Sequence, residues 1–294
     1  MTAVTTPPPV PAVQAVARPT GHMRQFRWYR PVWALVAWAV GVVFFIPVVW
    51  MVLTSFKTEA AAYSYPPEWV FHPTLSEYGQ VFSRGIGPFL ENSIVATAGS
   101  VLLTLLLAIP AAYALSVRPV TKWRDAMFFF ISTKMLPIVA AIVPLYIVAK
   151  DIGLLDNILL LLILYTAMNL PLAVWMMRSF LLEVPVEILE AARLDGAGFW
   201  REITEVMLPI AGPGLAATAL ICIIFAWNEF FLAINLTSTV AATVPVFLGG
   251  FVTSEGLYWA KLSAAATLAS VPVILIGWIA QRQLVRGLSM GAIK

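Results

Sequence analysis

Six apolar runs of about 20 to 26 residues, near 32–53, 94–117, 126–149, 158–177, 210–235 and 262–281, divide this 294-residue chain. Each is long enough for a helix to cross roughly 30 Å of hydrocarbon at about 1.5 Å rise per residue. The chain is 61% hydrophobic and only 11% charged, with a mean hydropathy of +0.88. A soluble domain carries about one-quarter charged residues, so an all-α membrane protein with six transmembrane helices is expected and water-soluble enzymes are excluded.

Basic residues orient such a bundle. With the N-terminus inside, Arg18, Arg24, Arg27, Arg30, Arg118, Lys122, Arg124, Arg178, Arg193, Arg201, Arg282, Arg286 and Lys294 fall inside, whereas Lys57, Arg84, Lys150 and Lys261 fall outside. Both termini are therefore expected in the cytoplasm. Residues 1–31, which open with prolines and then arginines, read as a flexible arm, and the long run after them does not suit a cleaved signal peptide. Residues 32–281 form the membrane domain and 282–294 a short basic tail. Prolines 47, 110, 137, 144, 171 and 272 fall in five of the spans, where each can kink its helix.

Several chemistries find no residues. Cys222 is the single cysteine, in an apolar run, so no intrachain disulfide can form. His22 and His72 are the only histidines and both lie outside the spans, which leaves no His-based metal site or proton relay there. No basic stripe with interleaved aromatics serves a nucleic acid. No Gly-x-x-x-x-Gly-Lys-Ser/Thr occurs, so the chain cannot cradle a nucleotide in the P-loop manner.

One polar island interrupts the oil. Residues 178–209 carry six acids and three bases and read as two short helices at an angle. Pro185 suits the start of the first, Glu187 complements its positive end, and Gly196 with Gly198 supplies a stop and a bend. The second places Phe199, Ile203, Val206 and Met207 on one face. Helices lying on headgroups favour Lys and Arg, and an acidic elbow is repelled by an anionic leaflet, so the expected partner is a protein.

Within the island, Glu190, Ala191 and Ala192 are followed by Asp195-Gly196 and then by Val206, Leu208 and Pro209. This pattern resembles the EAA loop of permease subunits in ATP-binding-cassette importers, with Val206 where Ile is commoner. The resemblance implies type I importer permease architecture in a bacterial inner membrane. It also implies a coupling helix seated in a cytoplasmic ATPase subunit, an ATPase dimer that holds the ATP and Mg, a second permease subunit, an extracytoplasmic solute-binding protein, and a tail reaching between the ATPases. This chain needs no cofactor of its own and performs no bond-making chemistry.

Asn92-Ser93, Met135-Leu136-Pro137 and Trp227-Asn228-Glu229 resemble maltose-type carbohydrate permeases. Residues 132–137, 235–238 and 254–263 are similar to permeases for sugar alcohols such as mannitol and sorbitol.

Lys134 and Glu229 are the ionisable groups well inside spans. Each costs about 2.5–3.5 kcal/mol at mid-membrane, so each is expected to face the bundle interior or water. They sit about 12 and 28 Å above the inner ends of their spans, too far apart to pair. Lys134, Trp227, Asn228 and Glu229 are the candidate substrate path; the bland alternatives are that Glu229 caps a helix and Lys134 snorkels to headgroups. In maltose-type permeases the loop corresponding to 235–261 reaches into the binding protein, which makes Thr253, Ser254, Glu255 and Gly256 candidates for that role.

The rival reading, an ion-gradient-driven secondary transporter, calls for internal repeats and further intramembrane acids, neither of which is evident. A membrane-embedded enzyme calls for paired carboxylates, a His cluster or an activated serine, which the spans lack.

Overall fold

In a computed structural model, the structure describes residues 30–117, 120–254 and 256–292, with side chains from 31 to 281. The expectations for the N-terminal arm, Arg118, Glu255, Lys294 and the tail side chains fall outside these limits. Helix α1 (Arg30–Thr54) is long and apolar enough to cross a membrane.

Past α1 come two short helices, α2 (Glu59–Ala62) and α3 (Ser76–Ser83), then α4 (Ile86–Ser116), α5 (Trp123–Met135), α6 (Ile138–Asp151) and α7 (Ile158–Leu181). The centre is the pair α4 and α7. They run parallel, since Thr166 donates to the Ser100 carbonyl at 3.3 Å and, farther along both helices, Arg178 Nε donates to that of Leu115 at 3.0 Å. Small residues permit the close approach: a Cβ on Gly99 would come within 2.6 Å of Leu162.

The 126–149 span is not one helix. Leu136 takes an extended conformation (ψ 127°), as the residue before a proline is pushed to do, and α5 and α6 are bent by 89° at Leu136-Pro137. Prolines 47, 110, 144, 171 and 272 lie inside continuous helices. Among the described residues, four helices are individually long and apolar enough to cross a membrane, and six spans result only if two bent pairs are each counted as one.

The run at 210–235 is broken too. Helix α8 (Val186–Leu194) is followed by α9 (Phe199–Arg201), a π-helical segment at Glu202–Met207, and α10 (Leu208–Ile210). The Phe199–Ile210 rod then bends 84° into α11 (Gly212–Trp227), and α12 (Phe231–Leu236) follows after a gap at residues 228–230. Asn169 on α7 reaches the Cys222 carbonyl on α11, in a layer with Val101, Ala108 and Val174. After α13 (Val244–Gly249) come the antiparallel strands β1 (Val252–Thr253) and β2 (Gly256–Leu257) and α14 (Trp259–Ala292), which continues past the 281 boundary of its apolar run.

Candidate functional site

The elbow at 178–209 forms at the C-terminal ends of α4 and α7. Pro185 is extended (ψ 131°) and starts α8. Gly196 stops it: at φ +83° it adopts the left-handed region, the Ala197 N–H donates to the Ala192 carbonyl at 2.9 Å, and the Gly196 N–H donates to that of Arg193 at 3.1 Å. That pair of bonds is a Schellman cap, which favours glycine at this position.

The two halves of the pattern do different work. Leu189 is 3% exposed and packs with Tyr113 of α4, Met177 and Leu181 of α7, and Ile203 and Met207. Val206 and Leu208 are half-buried against the same cluster. Glu190, Ala191, Asp195 and Gly196 are exposed, as is Pro209, while Ala192 is half-buried. Leu194 is 89% exposed and Trp200 67%, so apolar side chains flank this polar face. An interrupted apolar patch on an otherwise anchored elbow is what a protein interface requires.

The sequence reading missed the internal tie of this elbow. Glu202 is fully buried, and Arg193 grips it with two hydrogen bonds, Nε to Oε2 at 3.0 Å and Nη2 to Oε1 at 2.7 Å. The Glu202 carboxylate holds the Arg193 guanidinium charged, above its ordinary range, and the Tyr113 hydroxyl lies against it. A signal was present: Glu202 lies three residues after Phe199, on the apolar face, and an acid there demands a partner.

The candidate path residues differ in their surroundings. Lys134 is exposed and donates to the Met168 carbonyl of α7 at 2.9 Å, with the Phe225 ring of α11 5.5 Å away. Trp227 is buried, and Asn228 is exposed with its amide on the Ile224 carbonyl at 2.8 Å. Glu229 accepts from the N–H groups of Leu232 and Ala233 at 2.8 and 3.2 Å and so caps α12, with buried Tyr165 facing it.

Near the opposite end from the elbow, side chains fasten the 237–258 region. The Asp156 carboxylate collects the N–H groups of Ser238, Thr239, Val240 and Ala241, which hold it well below the usual carboxylate range. Asn92 donates to the Val240 and Ala242 carbonyls and Ser93 accepts from Val244 N–H at 2.8 Å. Tyr63 bonds the Leu257 carbonyl, and Glu59 caps α14 through the Ala260 and Lys261 N–H groups. Thr253, Ser254 and Gly256 are exposed at the tip of the hairpin.

Residues 101–290 match the family described as binding-protein-dependent transport system inner membrane component. The chain belongs to this family. It is 39% identical over 264 residues to a probable ABC transporter permease of Sinorhizobium fredii, a match covering 89% of this chain and 95% of that one. It is 33% identical to the sulfoquinovosyl glycerol transport system permease of Agrobacterium fabrum, covering 84% and 88%. A crystal structure of a bacterial ABC transporter involved in import of the acidic polysaccharide alginate contains a chain that superposes with a TM-score of 0.69 at 25% identity, covering 88% and 98%.

As a binding-protein-dependent permease, the chain is a multi-pass inner membrane subunit of type I importer architecture. Membership implies a separate ATPase, a solute-binding protein and a second permease subunit, and assigns the energy source to ATP instead of an ion gradient.

Proposed function

We infer that this permease subunit forms half of the path of a carbohydrate importer, with a sugar alcohol as the substrate class. The observation that carries the reading is an EAA-type pattern that leaves Glu190, Ala191, Asp195 and Gly196 exposed while Leu189 anchors the same helix in the membrane bundle. On this reading α8 seats in a groove of the ATPase dimer, where the ATP and Mg are held, and both termini lie on the cytoplasmic side. The outer loop faces the binding protein, with Thr253, Ser254, Glu255 and Gly256 as the candidate contacts.

Lys134 and Asn228 are the polar groups assigned to the substrate, because Glu229 spends its carboxylate on α12 and Trp227 is buried. Sugar names among the relatives support the carbohydrate class, and the finer one rests on the similarity of residues 132–137 and 254–263 to sugar-alcohol permeases.

Thermal-shift screening of the cognate binding protein tests it, since bound ligand raises apparent stability by mass action. Mannitol, sorbitol or a related sugar is expected to raise its Tm. Stabilisation by amino acids or peptides alone overturns the carbohydrate assignment; stabilisation by sugars but no sugar alcohol overturns the finer one.

A further inference from the structure

A carboxylate with no exposure, carried on a π-helical turn, is more than the surface of the elbow needs. Glu202 opens the π-helical segment that leads through the 84° bend into α11, and its partner Arg193 sits in the last turn of α8, across the turn at Gly196. Tyr113 of α4 lies against the same guanidinium. Three elements therefore meet at one pair: α8, the rod entering α11, and α4.

We propose that Arg193 and Glu202 are a positioning pair that makes α8 move as one body with α4 and the rod into α11, so that displacement of α8 by an ATPase reaches the membrane helices. This rests on the coupling reading of the elbow. On α8, Leu189 alone is buried in the apolar cluster, and the hydrophobic contribution of that burial is non-directional. The link from Asp195 to Gly198 does not prevent rotation, because it contains two glycines, one of them left-handed. A two-point guanidinium–carboxylate fork fixes orientation as well as distance. The π-helical turn brings Glu202 inward beside Ile203 and Met207, all three buried, and such turns are frequent at functional positions.

The neighbouring pair Arg201–Glu205, at 2.8 Å with both side chains more than 60% exposed, provides an internal control. Its hydrogen bond lies within one rod, and Arg201 feels Asp195 at the end of α8 through charge alone.

The test uses the whole transporter, this chain with its second permease and ATPase subunits, in nanodiscs. Spin labels replace Val186 on α8, which the docking face does not include, and Leu107 on α4, both exposed, in a Cys222→Ala background. Mg-ATP with orthovanadate traps the closed ATPase. In the parent and in Arg201→Ala, the Val186–Leu107 label distance is expected to stay constant on trapping. In Arg193→Leu/Glu202→Leu, which removes both charges but keeps apolar volume so that the elbow still folds, the ATPase is expected to co-purify normally while the distance changes by more than about 2 Å.

A constant distance in the double variant reduces the pair to packing and overturns the proposal, as does loss of ATPase co-purification in that variant alone. Retention of the ATPase by Glu190→Arg in the same co-purification instead removes the coupling reading beneath it.

Discussion

The Asp156 carboxylate takes both the backbone N–H and the hydroxyl of Ser238, at 2.9 and 2.8 Å. Through this contact the turn before α7 holds a loop more than 80 residues away in sequence. Because the N–H groups around it favour the charged form, the folded-state pKa of Asp156 lies below its unfolded value. The stabilisation is present above the ordinary carboxylate pKa of about 4 and is lost as pH falls below it. Asp156→Asn is expected to cost about 1–2 kcal/mol at pH 7 after allowance for partial exposure, and the difference in melting temperature between parent and variant should shrink on going to pH 3.

Glu229→Ala removes the cap of α12. The expected cost is about 0.5–2 kcal/mol, with the protein still inserted and uptake reduced. Glu229→Gln, which keeps one acceptor oxygen, should recover part of the loss. Detergent-solubilised melting curves measure the first effect and cell-based uptake the second; equal loss in both variants points to the charge and not the cap.

Gly214, on α11, meets Phe180 of α7 so closely that an added Cβ would stand 2.2 Å from the ring. Gly214→Ala is expected to destabilise by about 1–3 kcal/mol through overpacking. Phe180→Leu in the same chain should relieve much of it, a coupling that a double-mutant thermal-melt cycle reads directly. Additive effects would mean that the two helices separate freely at this level.

Gly196→Ala forces a side chain into the left-handed region at φ +83°, at a cost of roughly 1–2 kcal/mol. Gly196→Pro cannot adopt that conformation at all. Both variants are expected to insert normally, with the proline form losing ATPase co-purification and uptake and the alanine form weakening them. Normal uptake by the proline form would remove the elbow from the coupling path.

The membrane class and the places of the long helices were legible because an apolar run of sufficient length has one favourable solution in lipid. The Gly196 stop was legible because left-handed backbone restricts residue choice so sharply. Breaks were harder. Pro137 and Pro144 present the same local chemistry, yet the sharp bend falls at Leu136-Pro137 and the helix runs on through Pro144. Neighbouring helices decide where a kink is tolerated.

The site followed the same division. Glu190, Ala191 and Gly196 were readable from spacing along one loop. Glu202 was partly readable, as an acid on an apolar face, but its partner Arg193 lies nine residues back across a turn, at no helical repeat. Asp156 gave no local sign of its role, because its ligands are the backbone N–H groups of residues 238–241 and backbone carries no sequence signature. Hydropathy and backbone preference are properties of neighbours along the chain, so the sequence alone determined the lipid-embedded helices and the exposed elbow. Which acid meets which base or amide depends on segments brought together from far apart, and only the tertiary structure decided that.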